Sequence, residues 1–482
     1  MPMFPLEAET SQWYGADVKT LNPMMISGKE MLPLIEGGKG VAVSDGQSSG
    51  AWAVAGGVGT VSGVNPDYRD EDGNIVAPTY KGKTRVERHE ELVAQGIKGC
   101  MTQLQIARDV TGGQGRIHLN VLWEMGGSER ILEAVLEQGG ELIDGITCGA
   151  GMPYRVGEIA TRHGVYYYPI VSSARAFRAL WKRAFHKQSE MLGGVVYEDP
   201  WLAGGHNGLS NAEDPRVPQD PFPRVLELRK LMASVGLAET PIVMAGGVWY
   251  LRDWEDWIDN PDLGPIAFQY GSRPLLTQES PIPQEWKDRL TTLTDGDVLL
   301  QKFSPTGFWS SAIYTDYIQL LERRSERQVA YRRKPEDDFI ASIKVGPRGR
   351  EMFVLPDDKE KAEKWMAAGH TDALRTPDDT VVFVSTEEAA EIHKDQVDCM
   401  GCLTQCAFSN WSQHEGNTTG RKTDPRSFCI QKKLQGAAHG EPLKDNLAFS
   451  GHNAINFSND PFYSNGFVPT VKELVDRIVT GD

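Results

Sequence analysis

Short apolar runs rich in β-branched residues recur along the N-terminal half of the chain, each closed by glycine or polar punctuation and followed by a stretch of helical period. That alternation of period two with period 3.6 predicts parallel βα units. Strands are expected at 39–44, 59–64, 117–123, 142–148, 166–172, 194–197, 241–245 and 265–269, with helices at 84–108, 129–137, 155–163, 174–191, 224–235 and 251–258. The link between the first two strands, around Ser49 to Ala55, reads as short. Eight units suggest an α/β fold closed as a TIM (β/α)8 barrel. The alternative, an open doubly wound sheet, would place Gly-x-Gly-x-x-Gly after its first strand, and no such fingerprint stands there.

Beyond the eighth strand the pattern changes. A helical run is expected at 312–324, then a polar stretch with strands at 339–345, 352–355 and 381–384 and helices at 359–368 and 386–394. These features divide the chain into a barrel at 1–324, a small α+β insertion at 325–395 and a cysteine-bearing segment at 396–482 that ends in a docking helix, Val471 to Val479, with Leu474 and Ile478 on its apolar face.

Length and charge sharpen this division. The chain's 482 residues exceed the roughly 250 of a plain barrel, so added segments are expected. Hydrophobic content of 40% and charged content of 24% are those of a soluble globular protein, and no apolar run is long enough to span a bilayer. A formal charge of −16 argues against a broad nucleic-acid surface. The first residues carry no basic start followed by an apolar run, so a cytoplasmic protein that meets neither membrane nor nucleic acid is expected. Whether it forms a homo-oligomer is not legible.

In a TIM barrel, chemistry belongs on the loops after the strands, with a phosphate site after strands seven and eight. Ala245-Gly246-Gly247-Val248 and Tyr270-Gly271-Ser272-Arg273 occupy those two loops, so exposed backbone N–H groups could cradle the phosphate of a monophosphate-bearing cofactor. Strand four runs into Gly149-Ala150-Gly151-Met152-Pro153, a loop with little side chain that suits a flat ring. Strand six leads into Ala203-Gly204-Gly205-His206-Asn207-Gly208, where glycines let the backbone approach a ligand and His206 is a candidate base. His118, Cys148 and the basic helix face of Lys182, Arg183, His186 and Lys187 read more simply as packing groups and a solvated surface.

These motifs, together with Asn22-Pro23-Met24-Met25 and Ala55-Gly56-Gly57-Val58-Gly59, stand in an order that resembles the nitronate monooxygenase, or 2-nitropropane dioxygenase-like, family over about residues 20 to 320. The resemblance implies an FMN-dependent TIM barrel in which His206 lies beside the flavin as base or orienting group. It also implies that Gly246, Gly247, Gly271 and Ser272 hold the FMN phosphate. The candidate cofactor-binding set is completed by Met24, Met25, Asn120, Gly149, Gly151, Gly204, Gly205 and Gln269.

Four of the six cysteines, Cys399, Cys402, Cys406 and Cys429, cluster near the C-terminus. In a reducing compartment such a set points to metal rather than to disulfides. The Cys-x₂-Cys-x₃-Cys run with a later fourth cysteine suits one iron–sulfur cluster, and it resembles the [4Fe–4S] site of flavin-containing dienoyl-thioester reductases. Structural zinc and plain reduced thiols are the alternatives.

The expected activity is flavin-dependent oxidation or reduction of a small organic substrate, with the cluster as electron relay. A reductase of an enoyl thioester or a quinone, drawing on NAD(P)H or a ferredoxin-type donor, is the near alternative. A non-catalytic barrel with a zinc-stapled tail is the distant one.

Overall fold

The computed structural model describes residues 19–413 and 418–481. Eight parallel strands close into a barrel in chain order: β1 (Leu34–Glu36), β2 (Val58–Ser62), β3 (Arg116–Leu122), β4 (Gly145–Gly149), β5 (Tyr166–Val171), β6 (Val195–Glu198), β7 (Ile242–Ala245) and β8 (Ile266–Tyr270). The fold is a TIM (β/α)8 barrel. Its outer ring includes α1 (Gly46–Val54), α2 (Arg85–Thr111), α3 (Ser128–Gly139), α4 (Val156–His163), α5 (Ala174–Arg183) and α6 (Pro221–Ser234). Local signals set their ends. Thr84 and Glu87 form a capping box at the start of α2, and Gly112, in the left-handed conformation, ends it.

The structure departs from the expected elements in several places. Residues 39–44 form turns rather than the first strand, which is Leu34–Glu36. The alternation of Val41 and Val43 imitates a strand, but the glycines of 37–40 break the ladder, and only Leu34, Ile35 and Glu36 pair with neighbours. The supposedly short link is a full helix, α1, capped by Asp45 through the Ser48 N–H. Its Trp52 is fully buried and donates from Nε1 to the Leu34 carbonyl at 3.1 Å. The helical run expected at 174–191 ends at Arg183 and continues as two 3₁₀ turns. The run expected at 312–324 divides into β10 (Ser310–Ile313), which pairs with β9 (Val298–Gln301), and a helix, Asp316–Glu326, whose N-cap is Thr315.

Residues 328–397 carry antiparallel strands Gln328–Ala330, Ala341–Val345, Arg350–Val354, Asp372–Arg375 and Thr380–Val384 with helices Pro356–Ala367 and Thr386–Val397, around their own apolar cluster of Val329, Ile343, Val354 and Phe383. The C-terminal helix Val471–Val479 buries Val471, Leu474, Val475 and Ile478 in the barrel's main core and lies beside α1. The Arg252 N–H, in the turn after β7, donates to the Gly481 carbonyl at 3.2 Å. The helix therefore fills the ring position between the last and first strands, on the flank of the barrel rather than at its mouth. Among the described residues no helix is long and apolar enough to cross a membrane.

Candidate functional site

The C-terminal ends of the strands open into a cavity of about 230 Å³. Asn120, Thr147, Gly149, Ile170, Glu198, Ala245 and Gln269 lie on β3 to β8, and the loops after them supply Gly204, Gly205, His206, Gly246, Gly247, Gly271 and Ser272. The glycines answer geometric demands. Gly246 and Gly247 have φ of +85° and +81°, and a Cβ on Gly204 would lie 2.7 Å from the Gly451 nitrogen. At Gly271 a Cβ would meet nothing within 4 Å, so its backbone borders open space.

The remaining sequence candidates lie elsewhere. Met24 and Met25 belong to a hairpin, Met24–Ile26 with Lys29–Met31, that packs at the opposite end of the barrel; Met24 touches the apolar plug around Tyr168, and Met25 is exposed. Neither lines the cavity, because the hairpin precedes β1 and the chain reaches the mouth only after it. The wall they were expected to form comes from Gly37 to Val41. Gly151 faces Glu124 rather than the cavity. Strand misplacement hid the 37–40 loop, although its three glycines were a visible signal.

His206 is held by a segment distant in sequence. Gly205 and His206 pair antiparallel with Ser311 and Ser310 of β10, and His206 Nε2 lies 2.6 Å from Ser304 Oγ. Phe449 packs edge-on against the ring at 5.4 Å. Burial pushes the imidazole pKa down to about 4, so the ring is neutral near pH 7. Glu198, which ends β6 and lines the same cavity, is pushed the other way, to about 8, by burial and then by the neighbouring Asp199 charge. The carboxyl is therefore protonated where carboxyls are ordinarily charged. Glu198 was not singled out from sequence, although an acidic pair, Glu198-Asp199, at the end of an apolar strand and ahead of the glycine-rich loop was a readable cue. Lys39, also at the wall, is neutralised by Glu36 at 3.0 Å.

Several buried polar atoms around the cavity have no hydrogen-bond partner among the described residues: Thr147 Oγ1, Ser450 Oγ, Trp249 Nε1 and Trp286 Nε1. Such groups are costly unless something polar satisfies them. Residues 449–453 cover the loops after β7 and β8, where the Gly451 N–H donates to Ser272 Oγ at 3.1 Å and the Asn453 amide donates to the Gly247 carbonyl. Glycine backbone together with unsatisfied hydroxyl and indole groups fits a flavin mononucleotide, whose phosphate and ring edge offer acceptors.

The cysteine lobe walls the cavity on another side. Cys402, Leu403, Ile430 and Leu434 line it, and the lobe is fastened to the loop after β3 by Gly126 N–H to Cys402 O at 2.9 Å and Thr404 N–H to Glu124 O at 2.8 Å. All four cysteines are free thiols. Backbone N–H groups point at each sulfur: Gly401 at Cys399, Gln431 at Cys402, Ser409 and Phe408 at Cys406, and Lys432 at Cys429. Burial, together with charge on the neighbouring sulfurs, raises the thiol pKa of Cys406 to about 11 and of Cys429 to about 12. Among the described residues no group of three or more His, Cys, Asp or Glu side chains is arranged to hold a metal ion.

No family profile matches the chain, and no curated protein matches it. Solved structures do. The enoyl reductase domain of MlnA from the macrolactin biosynthesis cluster of Bacillus amyloliquefaciens superposes with a TM-score of 0.54 at 10% identity, over 93% of this chain and 93% of that one. FabK from Thermotoga maritima gives 0.50 at 13% identity, over 93% and 92%. At such identities the likeness concerns the fold, and it extends past the barrel to nearly the whole chain.

Proposed function

We propose that this chain is an FMN-dependent oxidoreductase that oxidises or reduces a small organic substrate, with His206 as base or orienting group. The observation that carries the reading is the cavity itself. Glycine loops after β7 and β8, a neutral imidazole and four unsatisfied polar atoms converge on one space at the mouth of a barrel whose fold likeness includes an enoyl reductase domain. Bound there, FMN would supply the ring that accepts or gives electrons. The chain's own part is positional. Gly246, Gly247, Gly271 and Ser272 offer backbone and hydroxyl to the phosphate, Asn120 and Gln269 border the ring space, and His206 takes or orients a substrate proton. Phe449 and residues 449–453 keep water from the phosphate end.

A reductase acting on an enoyl thioester, fed by NAD(P)H or a ferredoxin-type donor, is favoured within this class by one further feature. Leu122, Met125, Leu403, Ile430 and Leu434 give the cavity an apolar wall suited to an acyl chain.

The cysteine lobe is read as the seat of a [4Fe–4S] cluster, which would supply one-electron exchange. Four reduced thiols, three buried and that of Cys429 half-buried, with an amide directed at each sulfur support this, as does the place of Cys402 in the cavity wall. The sulfurs do not already surround a single ion, so the reading rests on donor chemistry, and elemental analysis decides it.

Two measurements on anaerobically purified protein test these statements. Denaturation and chromatography should release FMN; release of FAD, or no uptake of added FMN, overturns the cofactor. Metal analysis should find about four irons per chain, falling when any of the four cysteines is changed to serine. One zinc and no iron would make the lobe a structural staple.

A further inference from the structure

We propose that Ser304 and Thr306 are positioning residues that form a hydroxyl relay, through which the ring proton of His206 exchanges with solvent. The inference rests on reading His206 as the group that moves a substrate proton. His206 Nε2 lies 2.6 Å from Ser304 Oγ, and Ser304 Oγ lies 2.8 Å from Thr306 Oγ1. Each hydroxyl oxygen also accepts a backbone hydrogen bond: the Thr306 N–H donates to Ser304 Oγ at 3.3 Å and the Phe308 N–H to Thr306 Oγ1 at 3.2 Å.

Those two amides hold both oxygens in place whichever way the hydroxyl protons point. With Thr306 donating to Ser304 and Ser304 to Nε2, the ring carries its proton on Nδ1. With Nε2–H donating to Ser304 and Ser304 to Thr306, the ring carries it on Nε2. Neither direction strands a donor or an acceptor within the chain, so reversing it is cheap. Ser304 is buried, whereas Thr306 is half-buried beside Gly307 and Phe308, which are exposed. One end of the relay therefore meets the ring and the other approaches water.

The proton accounting closes. When Nδ1–H breaks and its proton passes to a substrate atom, Nε2 takes the Ser304 proton, Ser304 takes that of Thr306, and Thr306 takes one from solvent. One proton has moved from solvent to substrate with no change in oxidation state, and the reverse order removes a substrate proton. The route suits this ring because burial disfavours its cationic form, and a concerted pass leaves the imidazole neutral throughout.

The test compares Ser304→Ala, Thr306→Val, Thr306→Ser and His206→Ala in the full chain as purified. Nitrogen-15 NMR of labelled histidine reads the His206 tautomer and the exchange rate of its ring proton. Exchange should slow about tenfold in Thr306→Val and in Ser304→Ala, and recover in Thr306→Ser. With neutral 2-nitropropane as probe, whose α-carbon proton must leave before the flavin is reduced, the flavin half-reaction should slow by a similar factor in the first two variants and lose its solvent deuterium isotope effect in proportion. Wild-type exchange and rate in Thr306→Val overturn the relay. If His206→Ala itself leaves the rate unchanged, the reading of His206 falls instead, so the two failures are distinguishable.

Discussion

His118 and His206 sit at opposite ends of the same barrel, and burial lowers the pKa of both to about 4. His118 is fully buried on β3, its Nε2 2.9 Å from Ser27 Oγ and its ring stacked on Tyr168 at 4.6 Å, with Gly145 pressed against it. His206 meets a hydroxyl in the same way but borders an open cavity. A depressed imidazole pKa therefore marks burial, not chemistry; what separates the two rings is whether a ligand can reach them.

The largest effect expected from breaking this contrast is on turnover. His206→Ala should slow the flavin half-reaction with neutral 2-nitropropane about 10²-fold or more while FMN stays bound. His118→Ala should leave that rate within a few-fold. Stopped-flow absorbance checks both, and equal slowing in the two variants would dissolve the distinction.

Stability should show the opposite ranking. His118→Ala empties a packed site against Tyr168 and removes the ring's hydrogen bond to Ser27 Oγ, costing about 2–3 kcal/mol in denaturant unfolding. Acid unfolding should also change. The unfolded imidazole binds a proton near its ordinary value of 6.5, whereas the folded one does so only near 4, so stability is lost as pH falls between those values. His118→Phe should flatten that limb of the profile, and an unchanged limb would assign the acid loss to other groups.

The smallest effect concerns Glu198, whose sign is reversed. Its pKa rises from the model-peptide 4.5 to about 8 on folding, so its contribution is fully present below pH 4.5 and is lost as pH rises to about 8. Glu198→Gln, which cannot ionise, should be more stable than the parent at pH 8 and no more stable at pH 4. Thermal unfolding at the two pH values reads the difference. A variant less stable than the parent at pH 8 would mean the carboxylate has a favourable partner in the cavity.

Much of this site was visible in the residues. The glycine pairs at Gly246-Gly247 and at Gly271 with Ser272, and the Gly204-Gly205-His206 turn, could be placed at the mouth because strand–loop order in a parallel barrel dictates which loops share an end. Met24 and Met25 could not, since motif order says nothing about which end of the barrel a preceding hairpin covers. The first strand was misplaced because Val41 and Val43 alternate like a strand, whereas the actual β1 keeps only three paired residues between Pro33 and Gly37.

The chain's periodicity determined a parallel α/β fold, and eight βα units without a Gly-x-Gly-x-x-Gly after the first strand pointed to a closed barrel over an open doubly wound sheet. The residues themselves also showed the glycine-rich loops and the clustering of the four cysteines. Only the tertiary structure decided that Ser304, 98 residues from His206, would be its hydrogen-bond partner. The same holds for Phe449 to Asn453 as the cover of the β7 and β8 loops, for Cys402 in the cavity wall, and for Val471–Val479 in the eighth ring position. The physical reason is common to all four. Local pattern specifies which face of an element must be buried, but the partner that buries it is chosen by packing across the whole fold, and sequence distance carries no record of that choice.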